Sequence, residues 1–408
     1  MATATTGLDR REQAPEEPEL VTLSLEEMGP LGDTMAPFEG GRINVAGGIP
    51  GEEVVAQIVR YRRRKQRHVS GIVADVLKPS PYRVATPCPY FGPCSGCQWQ
   101  HIDYSHQLEM KRDAIRGELE GYEAVLGTAV SDTVPAPDQF GYRNHARFTV
   151  RHSGKLGFVN RITRRFVDVD SCMLMAPGIN EVLGKLDGHS QETSQLSIRY
   201  GINTSELLVQ PALHNDDIPL PTGQTHYREA LLGRTFRIAS PSFFQVNTAQ
   251  AERLAELVRQ RLELQGDETL VDAYAGVGTF AVLLAPYVGR VIAVEESEAA
   301  VKDAAVNTLG LDNLEFRQGR TEEVLGDLGS RPDAVILDPP RAGCDPAALE
   351  AVARWEPRRT VYVSCDPASL ARDLDVLVRA GLRVIEIQPL DMFPQTYHVE
   401  CVATLEPG

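Results

Sequence analysis

Three cysteines within ten residues form a dense group of potential metal ligands. Cys88, Cys94 and Cys97 lie in a stretch rich in Pro and Gly, and Cys172 could supply a fourth thiolate. Cytosolic thiols stay reduced, and grouped thiols more often bind metal or act in catalysis than form disulfides. Four thiolates suit a zinc ion or an iron–sulfur cluster equally well, and the spacing does not distinguish the two.

Another cysteine, Cys365, is predicted to lie between a strand and a helix. The β-prone run 360–363 leads into it, and Pro367 follows at the start of the next helical pattern. A helix N-terminus lowers the pKa of a thiol and so favours the reactive thiolate. Because functional residues concentrate in loops where strands end, we predict that Cys365 is a nucleophile. Cys344 and Cys401 are interpreted as small buried apolar side chains.

Glu400 opens the last predicted strand and is the best candidate for a carboxylate that accepts a proton. A solvated surface position is its alternative interpretation. A thiolate and a carboxylate at one pocket suit covalent catalysis, in which one group adds to the substrate and the other removes a proton.

A glycine loop at the end of a predicted strand indicates a cofactor pocket. Gly276 and Gly278 let the backbone turn tightly, and Glu295 stands 19 positions after Gly276, where a carboxylate can bind a ribose. Gly276, Gly278 and Ala281 also fit a relaxed dinucleotide pattern, so NAD remains an alternative. The rigid loop Asp338-Pro-Pro favours S-adenosylmethionine, because a planar base could lie against it.

The elements that must position these residues alternate strictly after residue 247. The pattern predicts helices at 248–264, 279–286, 298–308, 346–354 and 367–380, and strands at 269–273, 290–295, 314–318, 334–338, 360–364, 382–388 and about 400–405. Repeated strand–helix units predict a parallel, doubly wound α/β sheet. The last two strands have little room for a helix between them, which predicts an antiparallel edge.

The 408 residues are enough for two or three domains. We predict a disordered tail over residues 1–19, a small OB-like β-barrel over 20–78, a mixed α+β central domain with the cysteine group over 79–235, and the Rossmann-like α/β domain over 236–408. The barrel prediction rests on short alternating segments separated by Gly and Pro.

Composition and charge limit the function classes. The chain is 42% hydrophobic, its longest apolar stretch is too short to cross a bilayer, and its first residues lack a secretory core, so we expect a cytoplasmic protein without membrane contact. The formal net charge of −15 argues against indiscriminate coating of nucleic acid. Residues 60–68 carry six Arg and Lys side chains and are interpreted either as a local RNA-binding patch or as a solvated hairpin tip.

Four segments together resemble the RNA uracil-5-methyltransferase family. They are Phe243-Phe-Gln-Val-Asn247, Asp338-Pro-Pro-Arg-Ala-Gly343, Tyr362-Val-Ser-Cys365, and Asp391-Met-Phe-Pro394 followed by His398-Val-Glu400. The similarity runs from about Val21 to Leu405. It implies that the S-adenosylmethionine site is lined by Gln245, Tyr274, Thr279, Glu295 and Asp338. It also implies that Cys365 is the nucleophile and Glu400 the proton acceptor.

The implied reaction needs both groups because carbon 5 of uridine is a poor nucleophile. Addition of the Cys365 thiolate to carbon 6 makes an enolate whose carbon 5 can attack the methyl donor. A base must then remove the carbon 5 proton so that the thiolate can leave. A uridine in folded RNA must be unstacked to reach the thiol, and Phe244, Phe393 and Tyr397 are the hypothetical stacking partners.

The resemblance also implies a [4Fe-4S] cluster on Cys88, Cys94, Cys97 and Cys172, with a structural rather than a redox role. The N-terminal region resembles the RNA-binding barrel called TRAM. Asp366 stands where many family members have Asn, and it adds a carboxylate that would raise the pKa of the thiol. Tyr397 occupies a variable position.

The expected partner is RNA, with no obligatory protein partner. We favour 23S ribosomal RNA as the substrate, with transfer RNA as the alternative within the family. The alternatives from other classes are an NAD-dependent oxidoreductase and a non-catalytic RNA-binding cluster protein. The presence of both Cys365 and Glu400 argues against the last of these.

Overall fold

The computed structural model describes residues 18–63 and 66–408, which divide into two compact units. The first unit ends at Arg83 and includes the short segment Arg161–Arg164, and the second unit comprises the remaining described residues. Residues 1–17 of the predicted tail lie outside the described residues, as do Arg64 and Lys65 of the basic run.

The first unit is built on a six-stranded sheet. Its strands are β1 (Leu20–Ser24), β2 (Glu27–Met28), β3 (Thr34–Phe38), β4 (Gly41–Ala46), β5 (Glu53–Arg63) and β6 (Gln66–Lys78). They pair in the order β1-β5-β6-β4-β3-β2, and closure into a barrel stays a prediction. Alternate residues such as Val54, Ala56 and Ile58 point into one core, as the period of a half-buried strand requires.

The basic run lies on the β5–β6 hairpin. Arg60 is ion-paired with Glu39 at 2.8 Å and with Glu19 at 3.2 Å, so its charge is already compensated. The rings of Tyr61 and His68 stack with their centroids 5.4 Å apart. Arg62 and Arg67 are register partners and both are exposed. Among the described side chains of the basic run, Arg60 is therefore paired with carboxylates, and Arg62 and Arg67 are exposed.

The second unit begins with mixed structure. Its elements before residue 240 are α1 (Tyr104–Leu119), a 3-10 turn (Glu123–Val125), β7 (His145–Val150), β8 (Leu156–Val159), β9 (Phe166–Asp168), α2 (Pro177–Leu186), β10 (Gln195–Tyr200), β11 (Leu207–Gln210), β12 (His226–Leu231) and β13 (Arg234–Ala239). Five of the strands form an antiparallel sheet in the order β11-β10-β7-β8-β9, and β12 and β13 form a separate hairpin.

The rest of the second unit is a doubly wound sheet. Its helices and strands are α3 (Thr248–Leu262), β14 (Thr269–Ala273), α4 (Thr279–Leu284), a 3-10 turn (Ala285–Tyr287), β15 (Arg290–Glu295), α5 (Glu298–Asn307), β16 (Leu314–Gln318), α6 (Thr321–Gly326), β17 (Ala334–Leu337), α7 (Pro346–Trp355), β18 (Arg359–Ser364), α8 (Pro367–Arg379), β19 (Leu382–Leu390) and β20 (Glu400–Pro407). The strand order is β16-β15-β14-β17-β18-β20-β19. The first five strands are parallel and β20 is antiparallel to both neighbours, which confirms the predicted topology.

Side-chain caps set where several helices begin. Asn247 accepts a hydrogen bond from the Gln250 amide at the start of α3, and Ser297 accepts one from the Ala300 amide at the start of α5. Such caps satisfy amides that have no partner within the helix. They fix the helix starts beside the carboxyl ends of the strands.

Each face of the doubly wound sheet carries its own core. Neighbouring residues of one strand point to opposite faces, so Leu270 joins one core and Val271 the other. Ile115 and Leu119 of α1 join the second of these cores, so α1 packs with the doubly wound half although we assigned it to the central domain. The domain bounds themselves stay a prediction.

No helix in the described part of the chain has both the length and the apolar character needed to cross a membrane. The cytoplasmic location stays a prediction.

Candidate active site

The predicted site residues meet at the carboxyl ends of the parallel strands. A cavity of about 1120 Å³ there is lined by seven of them: Gln245, Tyr274, Gly276, Glu295, Asp338, Cys365 and Glu400. Thr279 lines a smaller cavity of about 50 Å³ that shares Gln245, Tyr274, Gly276 and Asp338. Ligands of open α/β sheets bind at this edge.

The glycine loop and Glu295 form one end of the cavity. Tyr274, Gly276 and Gly278 all have positive φ, at 67°, 56° and 87°. One carboxylate oxygen of Glu295 accepts a hydrogen bond from the Gly276 amide (2.8 Å), and the other accepts one from the Ser297 amide (2.7 Å). This carboxylate therefore links the loop after β14 to the start of α5.

A buried carboxyl group, Asp272, and a partly buried one, Asp338, lie near this loop. Burial raises the pKa of Asp338, which directly follows β17, to about 7. Burial, with the nearby Asp338 and Glu295, raises the pKa of Asp272 to about 8. One Asp272 oxygen accepts a hydrogen bond from the Ala281 amide (2.9 Å), and the other has no partner among the described residues. Each carboxyl is thus partly or mostly protonated at neutral pH.

Asp373 of helix α8 stabilises the loop that follows Asp338 through hydrogen bonds. A single oxygen of Asp373 accepts hydrogen bonds from the Cys344 amide (2.7 Å) and from the Tyr362 hydroxyl (2.6 Å). Gly343 has φ +82°, and a Cβ there would lie 2.5 Å from this carboxylate. The loop therefore needs a glycine at this position. Sequence reasoning missed Asp373, which has no motif signal of its own.

Cys365 lies between β18 and α8, as predicted, but the shift of its pKa has the opposite sign. Burial of the thiol and the nearby Glu400 raise its pKa to about 11, and Arg341 acts in the lowering direction. Burial and the nearby carboxyl group therefore give this thiol a raised pKa instead of the expected lowered one. Asp366 caps α8 by accepting a hydrogen bond from the Ser369 amide (2.9 Å).

Glu400 reaches the cavity because β20 pairs with β18. Ser364 and Cys401 are register partners, so Glu400 comes next to the strand end that carries Cys365. The Glu400 side chain is 3% exposed, which rules out the alternative interpretation of a solvated surface position. Burial, followed by the nearby Asp338, raises the pKa of this carboxyl well above its usual range.

Arg341 and His398 complete this part of the site, and sequence reasoning assigned neither a role. Arg341 Nη2 lies 3.1 Å from His398 Nδ1. Burial and Arg341 lower the pKa of His398 to about 4, so this imidazole is neutral at pH 7. Arg341 lies in the segment 338–343 and His398 in the segment 398–400, two of the segments that resemble the family. Their positions in these segments could have identified them as site residues.

The aromatic rings at the cavity differ from the predicted set. Phe244 is 6% exposed and packs against Phe236 in the core, so it is not available for stacking. Phe243 is 69% exposed and lines the cavity instead. Phe393 also lines the cavity, whereas the Tyr397 ring packs on His398 at a centroid distance of 4.1 Å.

The four grouped cysteines line a different cavity of about 210 Å³. All four are free thiols, and Cys97 Sγ accepts a hydrogen bond from Gln100 Nε2 at 3.2 Å. Burial raises the pKa of Cys97 to about 12, with smaller contributions from Cys172, Cys94 and Cys88. Within the described ranges, no three His, Cys, Asp or Glu side chains are arranged around a single metal ion. Cys344 and Cys401 are buried, as predicted.

Comparisons with known proteins place the chain in a family. Residues 230–407 match the family described as tRNA (Uracil-5-)-methyltransferase. An RNA methyltransferase of Gloeobacter violaceus is 34% identical, over 95% of this chain and 96% of that protein. The chain belongs to the RNA uracil-5-methyltransferase family. An RNA methyltransferase of Halalkalibacterium halodurans, another relative, is 31% identical over 97% of this chain and 99% of its own length.

A solved structure of a uracil-5-methyltransferase has the same overall fold. The Pyrococcus abyssi tRNA (uracil-54, C5)-methyltransferase, in complex with S-adenosyl-L-homocysteine, aligns with a TM-score of 0.72 and 28% identity. The alignment covers 94% of this chain and 99% of that one. The predicted family and enzyme class, a SAM-dependent RNA uracil-5-methyltransferase, are thereby confirmed. Membership of this family argues against the two alternative interpretations, an NAD-dependent oxidoreductase and a non-catalytic RNA-binding protein.

Proposed function

We propose that the protein transfers a methyl group from S-adenosylmethionine to carbon 5 of a uridine in RNA, with Cys365 as the nucleophile and Glu400 as the proton acceptor. The observation that carries this proposal is that both residues line one cavity together with Gln245, Glu295 and Asp338. Drug-sized ligands occupy cavities of about 300–1,000 Å³, so the cavity has room for a cofactor and a nucleotide.

The cofactor end of the cavity is the glycine loop with Glu295 and Asp338. The carboxylate of Glu295 already accepts two backbone hydrogen bonds and can accept others from ribose hydroxyls. The Asp338 carboxyl lines the cavity and can hydrogen-bond a polar edge of a bound base. When bound there, S-adenosylmethionine supplies the methyl group and a positive sulfonium charge.

The pKa values of both Cys365 and Glu400 are raised, so each side chain must release its own proton to solvent before it can act. The Cys365 thiol must lose its proton before sulfur adds to carbon 6, and Arg341 favours the thiolate through its charge. S-adenosylmethionine would supply the methyl group to carbon 5 and would leave as S-adenosylhomocysteine, so carbon 5 would carry both the new methyl group and its former proton. The Glu400 carboxylate takes this proton, the carbon 5–carbon 6 double bond forms again, and the thiolate leaves.

A flipped uridine requires a ring to receive it. We propose Phe243 and Phe393 for this contact, because both rings line the cavity and Phe243 is largely exposed. The hairpin of β5 and β6 is the proposed TRAM contact with RNA, carried by Arg62 and Arg67 and by the Tyr61–His68 pair.

The substrate RNA is 23S ribosomal RNA in our proposal, with transfer RNA as the second candidate. The first candidate is supported by the family resemblance, because members with both a TRAM barrel and a cysteine cluster more often act on large-subunit ribosomal RNA. The Pyrococcus abyssi tRNA enzyme aligns with 94% of this chain, so a tRNA enzyme can have a fold of the same extent. This observation is the support for the second candidate.

The test maps 5-methyluridine in both RNA classes from cells with and without the protein. Loss of the nucleotide from 23S ribosomal RNA alone supports the first candidate, and loss from transfer RNA alone supports the second. Complementation with Cys365→Ala and with wild type separates catalysis from binding, because the variant keeps the cavity. Restoration of the methyl mark by Cys365→Ala would refute the proposed nucleophile.

We further propose that Cys88, Cys94, Cys97 and Cys172 hold a [4Fe-4S] cluster. The support is that all four free thiols line one cavity. Zinc needs its ligands within about 2.3 Å of one point, whereas a four-iron cube binds one thiolate at each of four separated corners. Anaerobically purified protein should contain about four iron and four sulfide per chain, while a colourless zinc protein would overturn the assignment.

A further inference from the structure

The loop that joins β19 to β20 contains a strained residue. Gln395 has φ 67°, in the left-handed region, and its side chain is only 3% exposed. A residue other than glycine keeps such a conformation only where its surroundings enforce it. This loop, residues 391–399, carries Phe393 and leads directly into Glu400.

The cysteine segment, residues 94–100, supplies part of that enforcement. The amides of Gln98 and Trp99 both donate to the Gln395 carbonyl, at 3.2 and 3.1 Å. Gln100 in the same segment donates to the Cys97 thiol at 3.2 Å. The segment that carries two of the four grouped cysteines is thus hydrogen-bonded to the loop that carries residues of the reaction site.

Gln107 of α1 connects the same two segments through its side chain. It is fully buried, and its Nε2 donates to the Trp99 carbonyl (3.1 Å) and to Gln395 Oε1 (3.0 Å). Its Oε1 accepts from the Gln395 amide at 3.1 Å. One amide side chain therefore bonds both to the cysteine segment and to the strained residue.

A buried ion pair fixes the start of the loop. Lys111 Nζ lies 2.5 Å from Asp391 Oδ1 and donates to the Phe393 carbonyl at 3.1 Å, and both charged side chains are fully buried. The Tyr104 hydroxyl donates to the second Asp391 oxygen at 2.8 Å. α1 thus holds the loop at its start and at Gln395.

The backbone position of Cys365 depends on other contacts. It lies between β18 and α8, where Asp366 caps the helix and Ser364 donates to the Asp366 carbonyl at 3.0 Å. None of these bonds involves the cysteine segment. A disturbance of that segment should therefore reach Glu400 and Phe393 before it reaches the nucleophile.

We propose that Gln107 and Gln395 are positioning residues that couple the cysteine segment to Glu400. When the cysteine segment loosens, the loop relaxes and proton removal from carbon 5 slows more than covalent addition does. The kinetic part of this inference rests on the proposed roles of Cys365 and Glu400, whereas the coupling itself does not.

Hydrogen–deuterium exchange on the full-length protein, purified anaerobically, tests the coupling without any reaction. In Cys97→Ser, amides of residues 391–400 should exchange at least about tenfold faster than in wild type, while those of α5 keep their rate. Gln107→Met keeps every cysteine and should have the same effect on residues 391–400. Faster exchange in residues 88–99 alone, with residues 391–400 unchanged in both variants, would overturn the proposal.

Single-turnover kinetics test the consequence. With RNA containing 5-fluorouridine, Gln107→Met should form the Cys365 adduct within about twofold of the wild-type rate. With ordinary RNA, the covalent adduct should accumulate and its resolution should slow by roughly tenfold, because small misplacements of a catalytic group cost this much or more. Arg116→Met on the same helix, whose side chain bonds Asp113 and the Val130 carbonyl, is the matched control.

The two failures are distinguishable. Equal slowing of addition and resolution in Gln107→Met would show a purely structural role and would overturn the proposal. Absence of any adduct in the wild-type protein would instead refute the proposed function, and the exchange result would then decide the coupling by itself.

Discussion

The Cys365 thiol should react slowly at neutral pH in the protein without substrate. Its pKa of about 11 means that about one molecule in 10⁴ carries a thiolate at pH 7. Because only the thiolate is nucleophilic, alkylation should accelerate about tenfold per pH unit from pH 7 to 9.5. A thiol activated by the helix N-terminus alone would instead reach a plateau in this range.

The assay is iodoacetamide alkylation followed by mass spectrometry of the peptide that contains Cys365. Tryptic cleavage after Arg359 and Arg372 gives a peptide whose single cysteine is Cys365, so its alkylation is followed separately. Arg341→Gln should slow alkylation by about threefold to tenfold, since each pKa unit changes the thiolate fraction tenfold. Arg372 lines the same cavity but pairs with Asp373, so the variant Arg372→Gln serves as the control.

Two results would refute this reasoning. A plateau of the alkylation rate below pH 9 would show that the helix N-terminus outweighs burial and Glu400. An unchanged rate in Arg341→Gln would show that the guanidinium does not act on the thiol.

Three further perturbations have expected outcomes. Lys111→Met leaves the Asp391 carboxylate buried without its charged partner, so the free energy of unfolding should fall by about 3–5 kcal/mol in chemical denaturation. A loss below about 1 kcal/mol would contradict the ion pair. Asp272 has a folded pKa of about 8, above the unfolded value of 3.8, so its contribution to stability falls as the pH rises from 4 to 8. This contribution changes the free energy of unfolding by at most about 1.4 kcal/mol per pH unit, and it should be absent in Asp272→Asn. An unchanged pH dependence of unfolding in the variant would contradict the raised pKa. Phe243→Ala should weaken RNA binding by about 1–3 kcal/mol in a titration without loss of stability. Phe244→Ala should instead lower the free energy of unfolding by about 3–5 kcal/mol, because this ring is buried. The reverse pattern would refute the assignment of Phe243 as the ring that contacts RNA.

The doubly wound half could be predicted from the sequence because its pattern is local. Buried strands such as 334–337 read as short apolar runs, and caps such as Asn247 mark helix starts. Helix α6 was missed, since its six residues are too few for a clear period and Arg320 before it provides no side-chain cap.

Residues that depend on distant chain segments were harder to predict. Gln107 and Lys111 appear in sequence as polar positions of an ordinary helix, and their buried partners Gln395 and Asp391 lie 288 and 280 positions away. Sequence spacing cannot show that such groups meet, because the contact exists only once α1 packs on the doubly wound half.

The electrostatics of the site also depended on the fold. The sequence places Cys365 at a helix start, which predicts a lowered pKa. The antiparallel pairing of β20 with β18 brings the buried Glu400 beside this partly buried thiol. Phe243 and Phe244 are chemically identical neighbours, and only the backbone course between β13 and α3 decides which ring is exposed.

The most direct measurement of the central claim is the mass of the covalent complex formed with 5-fluorouridine RNA and S-adenosylmethionine. Fluorine at carbon 5 cannot be removed as a proton, so the thiolate cannot leave and the methylated adduct persists. We predict one RNA per chain, attached to the peptide that contains Cys365, and no adduct in Cys365→Ala. Attachment to any other residue, or methylation of ordinary RNA at the wild-type rate by Cys365→Ala, would contradict the account.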